Sequence, residues 1–147
     1  MKILIDADGC PVVDIALRVA AQAEVRAVIL CDTAHEFYRE DVETVTVSKG
    51  ADSVDFALVN RVEPGDIAVT QDYGLAAMCL AKGACPIRQD GLLYGPDNMD
   101  RLLEERYTAG KLRRAGGRVR GPKKRTSEQD RDFEAALRNL IKQRENG

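Results

Sequence analysis

Five short runs rich in β-branched residues, at 2–6, 25–31, 43–47, 66–70 and 84–88, alternate with helical patterns over the first ~90 positions. That alternation predicts an α/β fold. Parallel strands need a crossover connection, and a helix between successive strands supplies it. The first run, Lys2-Ile3-Leu4-Ile5, passes directly into Asp6-Ala7-Asp8-Gly9-Cys10-Pro11. Acids are costly inside a buried strand, so Asp6 marks the carboxyl end of the strand, where open α/β sheets bind their ligands.

The helical patterns follow the same logic. Pro11 suits a first helical turn, and Val12, Ile15, Ala16, Val19 and Ala20 form an apolar stripe behind it. A second helix is expected over 52–62, ended by Glu63-Pro64-Gly65, and a third over 73–82 with Gly83 placed to terminate it. Asp90-Gly91 reads as a turn or small hairpin, after which Asp97 is expected to cap a helix running to 109. Thr126 with Gln129, or Ser127 with Asp130, opens a last helix whose stripe is Phe133, Ala136, Leu137, Leu140 and Ile141. The expected organisation is one domain over 1–147, with a core at about 1–109, a flexible basic loop at about 110–126 and a C-terminal helix at about 127–145.

A chain of 147 residues can bury a core without staples. No apolar run approaches the ~18 residues of a membrane span, and the acids after residue 5 leave no room for a signal peptide, so the expected location is the cytoplasm and no membrane partner is expected. Cys10, Cys31, Cys79 and Cys85 lack zinc-site spacing and read as small buried hydrophobes, although Cys10 at a helix start is where a thiolate would be favoured. His35 is the sole histidine and lies in a polar stretch, which leaves weak support for a Ser-His-Asp triad. The glycine- and lysine-rich stretch at 116–123 lacks the G-K-[ST] ending of a phosphate loop and follows no strand.

Charge is segregated along the chain. Residues 1–105 carry 9 basic and 19 acidic side chains, whereas 106–125 carry 9 basic and none acidic. A basic segment on an acidic body points to a polyanionic partner. Its cations include Arg113, Arg114, Arg118, Arg120, Lys123, Lys124 and Arg125. The bland alternative is a solvated loop balancing the acidic body.

The acids themselves form a pattern. Asp6 and Asp8 follow the first strand, Asp72 follows the fourth, and Asp52 and Asp55 share a face at the start of the second helix. If the first and fourth strands are neighbours, all five approach one crevice. Converging carboxylates raise one another's pKa, and a hard divalent cation removes that repulsion. Several acids without histidine suit Mg²⁺ or Mn²⁺ and phosphodiester hydrolysis. Asp8 and Asp52 each have a second reading as plain helix caps.

Asp6-Ala7-Asp8-Gly9-Cys10-Pro11, Gly50-Ala51-Asp52-Ser53-Val54-Asp55, Gly65-Asp66-Ile67-Ala68-Val69-Thr70-Gln71-Asp72 with Leu75-Ala76-Ala77, Gly121-Pro122, and Asp130-Arg131 with Phe133 together resemble the YaiI/YqxD family of uncharacterised bacterial proteins. That family looks like a branch of the PIN-like and NYN nucleases. The resemblance implies a three-layer α/β/α fold with a parallel five-stranded sheet of order 3-2-1-4-5. It also implies metal binding by Asp6, by Asp55 with Asp52, and by Asp72, a hydroxyl near the ion at Thr70, and a lysine-containing lead-in at Lys49.

The expected function is therefore a Mg²⁺- or Mn²⁺-dependent nuclease acting on RNA, with Asp6, Asp55 and Asp72 on the metal and Asp8, Asp52 and Thr70 assisting. The sequence leaves the oligomeric state open. Two alternatives stand beside this reading. One is a non-catalytic RNA-binding module of the same fold. The other is a haloacid-dehalogenase-like phosphatase, in which Asp6 is the nucleophile and Asp8 the general acid, but no later strand ends in the paired acids that fold requires.

Overall fold

β1 (Lys2–Asp6) is the central strand of the sheet, and its Ile3, Leu4 and Ile5 are fully buried. Burying side chains of this size contributes roughly 1.5–3 kcal/mol each, which explains an unbroken apolar run where a half-exposed strand would alternate. The computed structural model describes residues 1–32, 39–48, 53–116 and 124–146. Within them α1 (Val13–Ala23), β2 (Arg26–Asp32), β3 (Glu43–Val47), α2 (Ser53–Arg61), β4 (Ile67–Val69), α3 (Tyr73–Ala81), β5 (Cys85–Ile87), α4 (Pro96–Arg114) and α5 (Ser127–Asn146) follow β1.

All four pairings in the sheet are parallel, in the order β3-β2-β1-β4-β5. This is the order implied by the family resemblance, and it makes β1 and β4 neighbours. Successive strand residues point to opposite faces. Ile3 and Ile5 pack with Val19, Phe133 and Leu137 of α1 and α5. Leu4 packs on the other face with Leu58 of α2 and with Leu75 and Cys79 of α3. Helices on both faces complete a three-layer α/β/α fold. α4 lies outside the second layer, where Leu102 meets Ala76 and Tyr94.

Several local details differ from expectation. The chain turns through Pro11 and Val12, so α1 begins at Val13. α4 starts at Pro96, which places Asp97 inside the first turn; the polar contact at the helix start is Asn98 Oδ1 accepting the Gly95 N–H at 3.0 Å. The same helix continues to Arg114, five residues past the expected end. Lys, Leu and Arg are good helix formers, and together they outweigh the roughly 1 kcal/mol cost of Gly110. The helix stops before Gly116, where φ is +83°.

The C-terminal helix opens as the sequence predicts. Thr126 Oγ1 accepts the Gln129 N–H at 3.2 Å, and Gln129 Oε1 accepts the Thr126 N–H at 2.9 Å. This reciprocal pair satisfies two otherwise orphaned donors. Phe133, Leu137, Leu140 and Ile141 then bury against the body. Gly91 lets α5 approach the turn after β5: φ is +93° there, and a Cβ would sit 2.7 Å from the Asp132 carbonyl oxygen. Among the described residues no helix is long and apolar enough to cross a membrane.

Candidate functional site

The carboxyl edge of β1 carries Asp6, whose side chain leaves the sheet on the same face as Leu4, toward α2 and α3. Thr70, fully buried just past β4, donates its hydroxyl to Asp6 Oδ2 at 2.8 Å. Thr70 Oγ1 in turn accepts the Asp72 N–H at 3.0 Å, so its proton is committed to Asp6. Two neighbouring strand ends are thereby joined by one chain of hydrogen bonds.

Asp72 continues that chain into α3. It is the N-cap, with Oδ1 accepting the Leu75 N–H at 3.1 Å. The sequence marked Asp72 only as a metal candidate, so the cap is an added role. Asp8 shows the reverse. It was a cap candidate for α1, but the residue at that position is Val12, with no side-chain cap bond. Asp8 Oδ2 instead accepts the Asp32 N–H at the end of β2, at 3.1 Å. The turn from Ala7 to Cys10 makes this possible: the Cys10 N–H reaches the Ala7 carbonyl at 3.0 Å, and Gly9 takes φ +70°.

Among the described residues, the charges that act on Asp6 are those of other acids. Burial pushes its carboxyl up from the ordinary 3.8 to about 6; Thr70 opposes the shift, and Asp55, Asp8 and Asp72 add to it. Asp55 reaches the site from the first turn of α2, as the helix spacing predicts. Three of the five aspartates singled out in the sequence thus act on a fourth, Asp6, at the carboxyl edge. The fifth, Asp52, lies outside the described residues.

Among the described residues no group of three or more His, Cys, Asp or Glu forms a ready-made metal cage. The donor chemistry still fits a hard cation: carboxylates with one buried hydroxyl, set around an Asp6 whose charge burial penalises. Mg²⁺ keeps several waters and uses one or two carboxylates plus substrate phosphate, so an open arrangement of this kind suits it. Asp6, Asp55 and Asp72 are the residues that would hold such an ion.

Cys10 stands between the acids and the end of the basic segment. Burial pushes its thiol up to about 11, and both Asp6 and Arg125 act on it. The thiolate that its place near a helix start suggested is therefore disfavoured, and Cys10 is a packed thiol. Arg125 is paired rather than open. Its Nε donates to Asp130 Oδ1 at 2.7 Å and its guanidinium to the Gln89 carbonyl at 2.6 Å. It pins the end of the basic segment beside the β5 turn. Arg114 and Lys124 are exposed. Lys49, Arg118, Arg120, Lys123 and His35 lie outside the described residues, as does the Arg113 side chain.

Two residues at this edge had not been singled out. Asp32 ends the apolar run Ala27-Val28-Ile29-Leu30-Cys31 as Asp6 ends its own, so the same pattern would have found it. Gln89 is 7% exposed and receives Arg125, a contact that no local pattern announces.

The family model described as "Uncharacterized BCR, YaiI/YqxD family" matches residues 4–143. The chain belongs to the YaiI/YqxD family. It is 52% identical over 141 residues to a UPF0178 protein of Exiguobacterium sibiricum, covering 96% of both chains. Identity to a UPF0178 protein of Clostridium acetobutylicum is 52% over 143 residues, covering 96% of this chain and 97% of the other. A UPF0178 protein of Enterococcus faecalis is 43% identical over 145 residues, with 97% and 98% covered. No solved structure matches. The coverage shows that acids, basic segment and C-terminal helix all fall within the length of a YaiI/YqxD protein.

Proposed function

We propose that this YaiI/YqxD protein is a divalent-metal-dependent nuclease of PIN/NYN-like type that hydrolyses phosphodiesters of RNA. The observation that carries the proposal is Asp6, a half-buried carboxylate among three further aspartates at the ligand-binding edge of a parallel sheet. Asp6, Asp55 and Asp72 hold Mg²⁺ or Mn²⁺, with Asp8 and Asp52 beside them. When bound, the ion neutralises the cluster and supplies an activated water.

The chain's own groups do the positioning. Thr70 fixes the orientation of the Asp6 carboxylate, and the Asp72 cap fixes the turn that presents both. Asp8 ties the loop after β1 to the end of β2. Lys49, Arg113, Arg114, Arg118, Arg120, Lys123 and Lys124 hold the phosphate backbone, which gives affinity that falls with salt and carries little sequence information. Arg125 anchors that segment and contributes its charge from a paired position.

The second reading, a non-catalytic RNA-binding module, draws on the lack of a ready-made cage among the described residues. A single-stranded RNA cleavage assay in Mg²⁺ and Mn²⁺ separates the readings, with wild type compared to Asp6→Asn. The expected result is wild-type cleavage that the variant loses while still binding RNA. Salt-sensitive binding without cleavage selects the module. Phosphomonoester cleavage through an aspartyl-phosphate at Asp6 selects the phosphatase.

A further inference from the structure

α4 presents a face that the rest of the described molecule does not cover. Leu103 is 52% and Tyr107 63% exposed, whereas Leu102 and Met99 turn inward to Ala76 and Tyr94. The positions that share the outward face are Pro96, Asp100, Leu103, Tyr107, Gly110 and Arg114, spaced alternately by four and three residues. That is the spacing of a coiled-coil seam.

The seam has a second property. It is symmetric about Glu105, the midpoint of the helix: Leu103 mirrors Tyr107, Asp100 mirrors Gly110, and Pro96 mirrors Arg114. Antiparallel pairing of two such helices about that midpoint has a two-fold axis and sets Leu103 of each copy level with Tyr107 of the other. Charge is unequal about the same midpoint: Asp97, Asp100 and Glu104 outnumber Arg101 in the first half, and the second half carries Arg106, Lys111, Arg113 and Arg114 with no acid. In an antiparallel pair the acids of one copy come level with the cations of the other. Gly110, without a side chain, leaves room where Asp100 must fit.

We propose that α4 is the interface of a two-fold symmetric homodimer, formed by antiparallel pairing of this helix with α4 of a second copy. The core is Leu103 against Tyr107 of the partner subunit, repeated across the axis. Ion pairs from Asp100 to Lys111 of the partner subunit close both ends. A 19-residue helix gives a seam roughly 28 Å long. One helix pair lies at the small end of interface sizes, so the dimer dissociates on dilution.

The pairing does not depend on the nuclease reading, and it adds something to it. The first turn of α4 is tied to the acidic edge: the Tyr73 hydroxyl donates to the Met99 carbonyl at 3.1 Å, and the Tyr94 hydroxyl to the Thr70 carbonyl at 3.3 Å. Antiparallel pairing therefore brings the basic end of each α4 to the helix start beside the other copy's acids.

Sedimentation velocity of the full chain across a concentration series, without and with a single-stranded RNA, tests the pairing. The expected result is a monomer–dimer equilibrium that Leu103→Glu and Tyr107→Glu each shift toward monomer by about tenfold or more. Asp100→Lys and Lys111→Asp should each weaken it, and the double variant should restore it. All four substitutions are at exposed positions, and circular dichroism checks that the variants stay folded. A wild type that stays monomeric, a dimer indifferent to these changes, or a double variant no better than either single would overturn the proposal. So would dimers seen only with RNA present, which would make RNA the occupant of the face.

Discussion

Two aspartates, Asp66 buried and Asp6 half-buried, sit at opposite ends of the same neighbouring strands and receive opposite treatment. Asp66, at the amino edge of β4, is 3% exposed and surrounded by donors. It accepts the Lys2 ammonium at 2.7 Å, the Lys2 N–H at 3.0 Å and the Glu63 N–H at 2.8 Å. Asp6, at the carboxyl edge of β1, has the Thr70 hydroxyl and three more acids around it. One carboxylate has its cation built into the chain. The other is set where the chain raises the cost of its charge, and the fold tolerates this at the edge where open sheets bind ligands. The contrast assigns Asp66 to holding β1 against β4, and it supports the proposal that Asp6 holds a cation.

Substitutions at the two ends should therefore diverge. The largest effect is expected on chemistry: Asp6→Asn should lower metal-dependent RNA cleavage by more than about 10²-fold, since even partners behind the metal ligands typically matter 10–100-fold. Asp66→Ala should leave the per-molecule rate of the folded fraction close to wild type. Thr70→Val keeps the volume and removes the donor to Asp6, so metal affinity by isothermal titration calorimetry should fall by about 10–100-fold. A Thr70→Val protein with unchanged affinity would show that Thr70 does not orient Asp6.

Stability should separate the two ends by sign. Asp66→Ala leaves the part-buried Lys2 ammonium without its main partner and should cost about 3 kcal/mol in urea unfolding. Asp6→Asn should do the opposite in metal-free buffer at pH 8. The Asp6 carboxyl titrates at about 6 when folded against an ordinary 3.8, and about two units correspond to at most about 3 kcal/mol. Because the folded value is the higher, the contribution is fully present below 3.8 and is lost as pH rises through about 6. The advantage of Asp6→Asn over wild type should therefore grow from pH 4 to pH 8 and shrink when Mn²⁺ is added. A flat difference would mean that the Asp6 charge is not strained.

The smallest effect lies away from both aspartates. Gly91→Ala should destabilise by about 1–3 kcal/mol, because a Cβ there meets the Asp132 carbonyl at 2.7 Å and the φ is +93°. Thermal unfolding checks this, and the Asp6 titration should be unchanged.

How much of this could be read from the chain depends on the range of each interaction. Asp6 was legible because a carboxylate closing an apolar run is a local contradiction. The reciprocal cap of Thr126 and Gln129 was legible because three residues contain the whole device. The role of Asp66 was not, since its ion pair with Lys2 spans 64 residues and exists only because β1 and β4 are neighbours. Asp8 misled for the same reason, its partner being the backbone of another strand. The extent of α4 is hidden in the sequence because Gly110 and a rising basic charge resemble a loop. The helix formers around them decide otherwise.

The central claim is that the carboxyl edge takes up the positive charge that Asp66 already has from Lys2. Mn²⁺ titration of metal-free protein followed by electron paramagnetic resonance, with wild type, Asp6→Asn and Asp66→Ala side by side, measures it directly. Saturable binding that disappears in Asp6→Asn and persists in folded Asp66→Ala is the expected result. Binding of Mn²⁺ by Asp6→Asn equal to that of wild type, or no saturable binding by wild type, would contradict it.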